Sequence, residues 1–294
     1  MPELPEVETV VRGLRPLWVG RRIARVVQRR PDLREPLPKR FAERLAGRAV
    51  AAVERRAKYI VCRFKDGGDA LVIHLGMSGR FVCAARAGAN RPAPEPGAHD
   101  HVDIILDDGA VFRFSDPRRF GLMDLVASAG FDRDKRFAAL GPEPLAPGFD
   151  GASLAASLAG KRTPIKAALL DQRVVAGIGN IYACEALFQA GISPRRLALR
   201  VQGERAARLA DAIKDVLTRA IAAGGSSARD YVQASGELGW FQHQWAVYDR
   251  EGQPCPGCVC AAANGGGRAT GGRGGIKRLA QAGRSTFYCA QRQR

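Results

Sequence analysis

The chain has 294 residues, with 46 Lys and Arg against 29 Asp and Glu, a formal charge of +17. Hydrophobic residues make up 46% and charged residues 26%, which excludes wholesale disorder; no run approaches the ~18 consecutive apolar residues of a membrane span. Such an excess of positive charge points to a polyanionic partner.

In chain order, residues 6–17 (EVETVVRGLRPL) place Val10, Val11 and Leu14 at helical spacing. Short apolar stretches follow at 23–27, 49–53, 60–64, 70–74, 102–106 and 110–114. Several of these alternate and most are bounded by Gly or Asp, so they read as strands of a β-rich layered domain. Residues 87–100 are rich in Pro, Gly and Ala and read as a surface loop within it. The stretch 140–151 (LGPEPLAPGFDG) has three prolines and three glycines and reads as a linker. Beyond it the period changes, and helices are expected at 152–158, 164–170, 181–190 and 204–223. The remainder, 241–294, holds four of the seven cysteines and a Gly-rich run at 264–275. The expected class is α+β: a β-sandwich domain over 1–139, a linker over 140–151, a helical domain over 152–240 and a small cysteine module over 241–294.

The amino terminus, MPELPEVETV, is acidic and does not read as a signal peptide. An odd number of cysteines without such a leader leads us to expect a reducing cytoplasm and no disulfide framework. Once the initiator methionine is removed, Pro2 presents a secondary α-amine, and α-amines titrate near neutrality. Attack by such an amine on an aldehydic carbon gives an iminium that stays cationic and serves as an electron sink. Glu3 and Glu6 stand beside it as proton-transfer or charge-holding groups.

Four further segments follow in order: IHLGMSGRF (73–81), SDPRRFG (115–121), GIGNIYACEALF (177–188) and AGRSTFYC (282–289). With the amino terminus, these resemble the formamidopyrimidine-DNA glycosylases, bacterial enzymes that excise 8-oxoguanine and ring-opened purines. The resemblance runs nearly end to end. It implies glycosylase plus lyase activity, by β- and then δ-elimination, on double-stranded DNA carrying an oxidised purine opposite cytosine, by a monomer. Pro2 is then the Schiff-base nucleophile, Glu3 the general acid/base at the sugar, and Glu6 a support of the local network. Lys58 matches a lysine that protonates during β-elimination and contacts phosphate, and Arg284 an arginine at a hairpin tip that straddles phosphates and serves the second elimination. Met77, Arg118 and Phe120 become the trio that fills the gap left by an everted nucleotide, an extrusion required because the target atom is unreachable inside the duplex. His74 and His99 are weaker candidates for backbone contact. Asn180 opens a helix after a Gly-X-Gly turn, where backbone amides can approach a phosphate, and it matches the residue of a helix–two-turn–helix element that grips phosphate. Lys161 matches a DNA contact, and Lys166 follows it as part of the same basic approach. Residues 224–231 resemble a lid over the everted base.

Two readings stay open beside this one: a non-catalytic damaged-DNA binder of the same fold, and an endonuclease VIII-type glycosylase for oxidised pyrimidines. The resemblance also implies a carboxy-terminal zinc hairpin with two Cys-x2-Cys pairs, since tetrahedral zinc takes four thiolates. Cys255 and Cys258 supply the first pair and Cys289 opens the second, but Arg292 stands at the last ligand position. Cys260 completing the cage, a three-thiolate site with water, and a metal-free hairpin are the alternatives. Cys62, Cys83 and Cys184 have apolar neighbours and read as buried, inert thiols.

Overall fold

Helix α1 (Leu4–Trp18) carries Pro5 in its first turn, where a missing N–H costs nothing. One face sets Val7, Val10, Val11, Leu14 and Trp18 into the core. Strand β1 (Ile23–Gln28), a short helix α2 (Phe41–Leu45), β2 (Val50–Arg56), β3 (Tyr59–Phe64), β4 (Asp69–His74), β5 (Arg80–Ala85), β6 (Asp100–Leu106), β7 (Val111–Ser115) and β8 (Leu122–Ala127) follow. The computed structural model describes residues 1–88, 93–226, 239–258 and 275–294.

The strands form two four-stranded antiparallel sheets, ordered β1-β6-β7-β5 and β2-β3-β4-β8. Their inner faces share one apolar cluster with α1, drawing Ile23, Phe81, Ile104, Phe112 and Phe114 from the first sheet and Val53, Ile60, Leu71, Ile73 and Met123 from the second. Trp18 is fully buried and meets Phe81 and Phe112 edge-on, at centroid distances of 5.8 and 5.4 Å. The expected β-sandwich is present. It includes two strands the apolar pattern did not pick out, β5 and β8. Both lie at sheet edges, where half-buried residues blur the alternation.

The chain divides into two compact units, 1–138 with 220–242 and 139–219 with 243–294. The second contains α3 (Gly151–Leu158), α4 (Ile165–Leu170), α5 (Asn180–Gln189), most of α6 (Glu204–Ala222), and the antiparallel pair β9 (Ile276–Gln281) and β10 (Arg284–Cys289). Asp150 caps α3 by accepting from Ser153 N at 2.8 Å, while its own N–H donates to Ser153 Oγ at 2.9 Å. The proline-rich stretch before α3 is stitched onto this unit: Gly141 N donates to Gln172 O, Ala176 N donates to Pro142 O, and Phe149 is buried. Strands β9 and β10 are joined through Ala282 and Gly283, at φ 48° and 70°. Two successive left-handed residues are the signature of a tight turn matched to strand twist. Cys184 and Phe188 of α5 pack with Val247, Cys255, Ile276, Phe287 and Cys289, so this small module shares its core with α5. Among the described residues no helix is long and apolar enough to cross a membrane.

Because Trp18 fills the space between α1 and the first sheet, Trp18→Ala is expected to lower unfolding stability by about 3–5 kcal/mol. Trp18→Phe should cost markedly less. Urea unfolding followed by circular dichroism checks both, and equal losses for the two variants would contradict the packing role.

Candidate functional site

The start of α1 is built around a buried carboxylate. Glu6 is 2% exposed. Its Oε2 accepts from Glu3 N at 2.7 Å and its Oε1 from Ser226 N at 2.8 Å. Gly225, at φ 81°, lets the chain come this close, since a Cβ there would lie 3.0 Å from Glu6 Oε1. Pro2 and Glu3 are buried beside this network, whereas Met1 is 46% exposed. Removing Met1 would leave the Pro2 amine at the amino end of α1, beside Glu3 and the Glu6 carboxylate.

One turn on, Glu8 pairs with Arg55 of β2 at 3.0 Å, and Arg55 Nη1 donates to Ala57 O. Ala57 sits at φ 51° in the tight β2–β3 turn, and the next residue, Lys58, is buried. Thus α1 holds the turn that carries Lys58. His74, at the end of β4, stands opposite Tyr59 with ring centroids 4.9 Å apart. Burial, and then the positive charges of Lys58 and Arg34, push its pKa down to about 4. Its Nδ1 accepts from Gly76 N at 2.9 Å, which leaves the neutral ring's proton on Nε2 as a hydrogen-bond donor.

The segments around residues 77 and 118 form one ledge. Gly76 is pressed against the backbone of Phe120, where a Cβ would lie 2.3 Å from the carbonyl carbon. Asp116 is 0% exposed and joins the two loops: it accepts from Ser78 Oγ at 2.6 Å and from Gly121 N at 2.7 Å. Its own N–H donates to His99 O at 2.9 Å. The ledge therefore presents half-buried Met77, exposed Arg118 and His99, and Phe120, which is 43% exposed. The Arg118 guanidinium lies 4.9 Å from the Phe120 ring centroid. An apolar probe and a cation-backed ring suit stacking against planar groups. The motifs alone do not single out Asp116; its signal is an Asp placed directly before Pro117, a favoured turn opening.

In the second unit, Asn180 opens α5. Its Nδ2 donates to Ser285 O at 2.9 Å, next to Arg284 at the exposed β9–β10 turn. Lys166 departs from the expected basic approach. It is 0% exposed and its ammonium donates to Asn180 Oδ1, so it orients Asn180 from behind. Lys161 is half-buried. A second residue that the motifs pass over is Glu185, the one charged residue of α5. Its buried carboxylate accepts from Ala246, Val247 and Tyr248 N–H at 2.8, 3.0 and 2.8 Å, which fastens the chain leading into the cysteine module. Burial pushes its pKa up.

The sulfurs of Cys255, Cys258 and Cys289 lie within 4.8 Å of one another, and Cys258 and Cys289 are 3.5 Å apart. Tetrahedral zinc with bonds of about 2.3 Å spaces its thiolates by about 3.8 Å. The three cysteines therefore fit three corners of such a site and could hold a metal ion. Arg292 points its guanidinium at main-chain carbonyls. Cys260 and residues 227–231 of the expected lid lie outside the described residues. Cys62 and Cys184 are buried, and burial pushes the Cys62 thiol up to about 12. Cys83, expected to be buried, is only half-buried because it lies on edge strand β5.

His74 makes stability depend on pH. Unfolded, the ring titrates near 6.5; folded, at about 4, so the unfolded chain binds the extra proton between those values. Stability should be lost as pH falls through that window, by at most about 1.4 kcal/mol per pH unit from this group, and be insensitive to it above pH 6.5. His74→Asn keeps an acceptor for Gly76 N and should flatten the slope in urea titrations between pH 6.5 and 4.5. An unchanged slope would remove His74 as the cause.

The profile of the formamidopyrimidine-DNA glycosylase N-terminal domain matches residues 1–123, and that of the formamidopyrimidine-DNA glycosylase H2TH domain matches residues 140–232. The chain is 57% identical to a formamidopyrimidine-DNA glycosylase from Rhodospirillum centenum, over the whole of both chains. The crystal structure of the MutM (Fpg) protein from Thermus thermophilus superposes with a TM-score of 0.81 at 39% identity, covering 99% of this chain and 98% of that one. A Lactococcus lactis Fpg in complex with DNA containing an abasic site matches with a TM-score of 0.82 at 30% identity, over 99% of each chain. Full-length identity of this order, on a shared fold, shows that the chain belongs to the formamidopyrimidine-DNA glycosylase family of enzymes.

Proposed function

We propose that this chain removes oxidised purines, 8-oxoguanine and formamidopyrimidines, from double-stranded DNA opposite cytosine, and cleaves the resulting abasic site by β,δ-elimination. The observation that carries this reading is the start of α1, where Pro2 and Glu3 are buried beside the Glu6 carboxylate. With Met1 removed, the Pro2 amine attacks C1′ and the damaged base departs with the bonding electrons of its glycosidic bond. Opening of the sugar leaves an iminium that acidifies C2′. Loss of that proton expels the 3′ phosphate, and a second elimination expels the 5′ phosphate. Glu3 shuttles protons at the sugar and Glu6 holds its backbone in place. Lys58 donates a proton in the first elimination, and Arg284 holds phosphate for the second.

Met77, Arg118 and Phe120 occupy the gap in the duplex, with Arg118 on the orphaned cytosine. Asn180, Lys161, His99 and the Nε2 proton of His74 contact the DNA backbone, and Lys166 serves through Asn180. The net charge of +17 supplies the attraction. In this reading residues 1–139 form the catalytic domain, 140–151 a connector, 152–240 the helix–two-turn–helix domain and 241–294 the hairpin module. Cys255, Cys258 and Cys289 hold structural zinc, which would brace the hairpin and take no part in bond breaking. The enzyme acts as a monomer in the cytoplasm.

Borohydride should trap the methionine-processed protein covalently on an 8-oxoguanine:cytosine duplex. Pro2→Gly should weaken trapping and strand cleavage sharply. Glu3→Gln should slow base excision by about 10²–10⁴-fold. Undiminished cleavage by protein with a blocked amino terminus would overturn the mechanism, and binding without trapping would favour a non-catalytic damage binder. With about five phosphates neutralised, log K against log salt should fall with a slope of about −4 to −5. A slope near zero would show that the positive charge is not a DNA footprint.

A further inference from the structure

We propose that Arg292 is a positioning residue that cross-links the cysteine module through hydrogen bonds, so that the seat of Arg284 does not depend on a bound metal. This rests on the DNA-cleaving reading above for its consequence, but not for its geometry. The guanidinium donates from Nη1 to Gly257 O at 2.8 Å, inside the Cys255–Cys258 knuckle. It also donates from Nε to Phe188 O at 3.3 Å, in the last turn of α5. The Phe188 ring lies 4.9 Å from the guanidinium carbon. One planar group thus joins the first knuckle, the strand end that carries Cys289, and the helix against which both pack.

Each partner suits the contact. Carbonyls at a helix carboxy terminus carry partial negative charge and favour a cation. A guanidinium cannot lose its proton near neutrality and offers several donors in a fixed fork. Glycine at 257 leaves room for this contact: a Cβ there would lie 2.5 Å from Nη1, so any other residue would displace the guanidinium. The neighbouring residues extend the seam: Gln293 Nε2 donates to Ile192 O at 3.1 Å, and Gln293 Oε1 accepts from Cys289 N at 2.8 Å. Arg294 N donates to Gly191 O at 3.1 Å. This seam ties the end of β10 to α5 and to the first knuckle without using a sulfur atom. A metal on Cys255, Cys258 and Cys289 would add to a module already closed, and would exchange without opening it.

The test uses full-length protein, as purified and after stripping with a strong zinc chelator, with zinc content measured in each case. Hydrogen exchange of the β10 amides reads the module directly, and the ratio of δ- to β-elimination product on abasic duplex reads the placement of Arg284. Wild-type protein should keep both within about twofold after stripping. Hydrogen bonds to a charged donor are strong, but Arg292 is exposed and water competes for both, so the two together should change an opening equilibrium by about tenfold. Stripped Arg292→Ala should therefore lose at least about tenfold in β10 protection and shift product toward β-elimination, and Arg292→Lys should recover part of both. Arg292→Cys should behave as wild type while zinc is bound, and as Arg292→Ala once stripped. Loss of β10 protection in stripped wild type equal to that in stripped Arg292→Ala would overturn the proposal, because the metal would then be the cross-link. If wild type cleaves no damaged DNA, the functional reading fails while the exchange measurements still decide the role of Arg292.

Discussion

The proposed chemistry rests on the Glu6 carboxylate. It is buried, and ion-strength hydrogen bonds from two backbone amides that lie far apart in sequence compensate its desolvation. One amide belongs to Glu3, directly after Pro2, and the other to Ser226, where the chain leaves the end of α6 and its glycine pair. A carboxylate with both oxygens occupied holds the amino terminus in one conformation. A terminus left to fray, as most are, would scatter a nucleophile over many positions.

Around that anchor, charged groups are used chiefly to position other groups. Glu8 and Arg55 link α1 to the turn bearing Lys58. Asp116 locks two loops into one ledge, Lys166 sets the amide of Asn180, and Glu185 gathers three consecutive N–H groups. The same logic recurs at Asp103, which receives both Arg29 and Arg113. Apart from the half-buried Glu8–Arg55 pair, one partner is buried in each case, so removing it strands a charge or a polar group away from water, and the geometry is held more tightly than by exposed pairs. Exposed cations such as Arg118 and Arg284 remain available at the surface.

Much of the architecture is legible in the chain itself. Two-residue alternation and Gly or Asp boundaries mark six strands, and 3.6-residue spacing marks α1 and the four later helices, because burying one face demands that periodicity in any context. The strands β5 and β8 escape, since neither buries its residues in a two-residue alternation. The stretch 140–151 reads as a linker from its prolines, yet Gly141 and Pro142 make backbone hydrogen bonds to Gln172 and Ala176 of the helical unit. Composition reports what a segment disfavours, not which partner satisfies it.

Residue order alone names the candidate groups and their succession: a proline at position 2 followed by two glutamates, a Met and a Phe in loop motifs, an Asn at a helix start, and an Arg in a hairpin turn. These depend on residue identity and local spacing, which one strand of text contains. It took the folded arrangement to reveal that Lys166 stands behind Asn180, that Asp116 and Glu185 are organisers, and that Arg292 reaches Gly257 and Phe188. Those roles come from burial and from contacts between residues distant in the chain. Whether a charge meets solvent or a buried partner is settled by packing, which local pattern does not record.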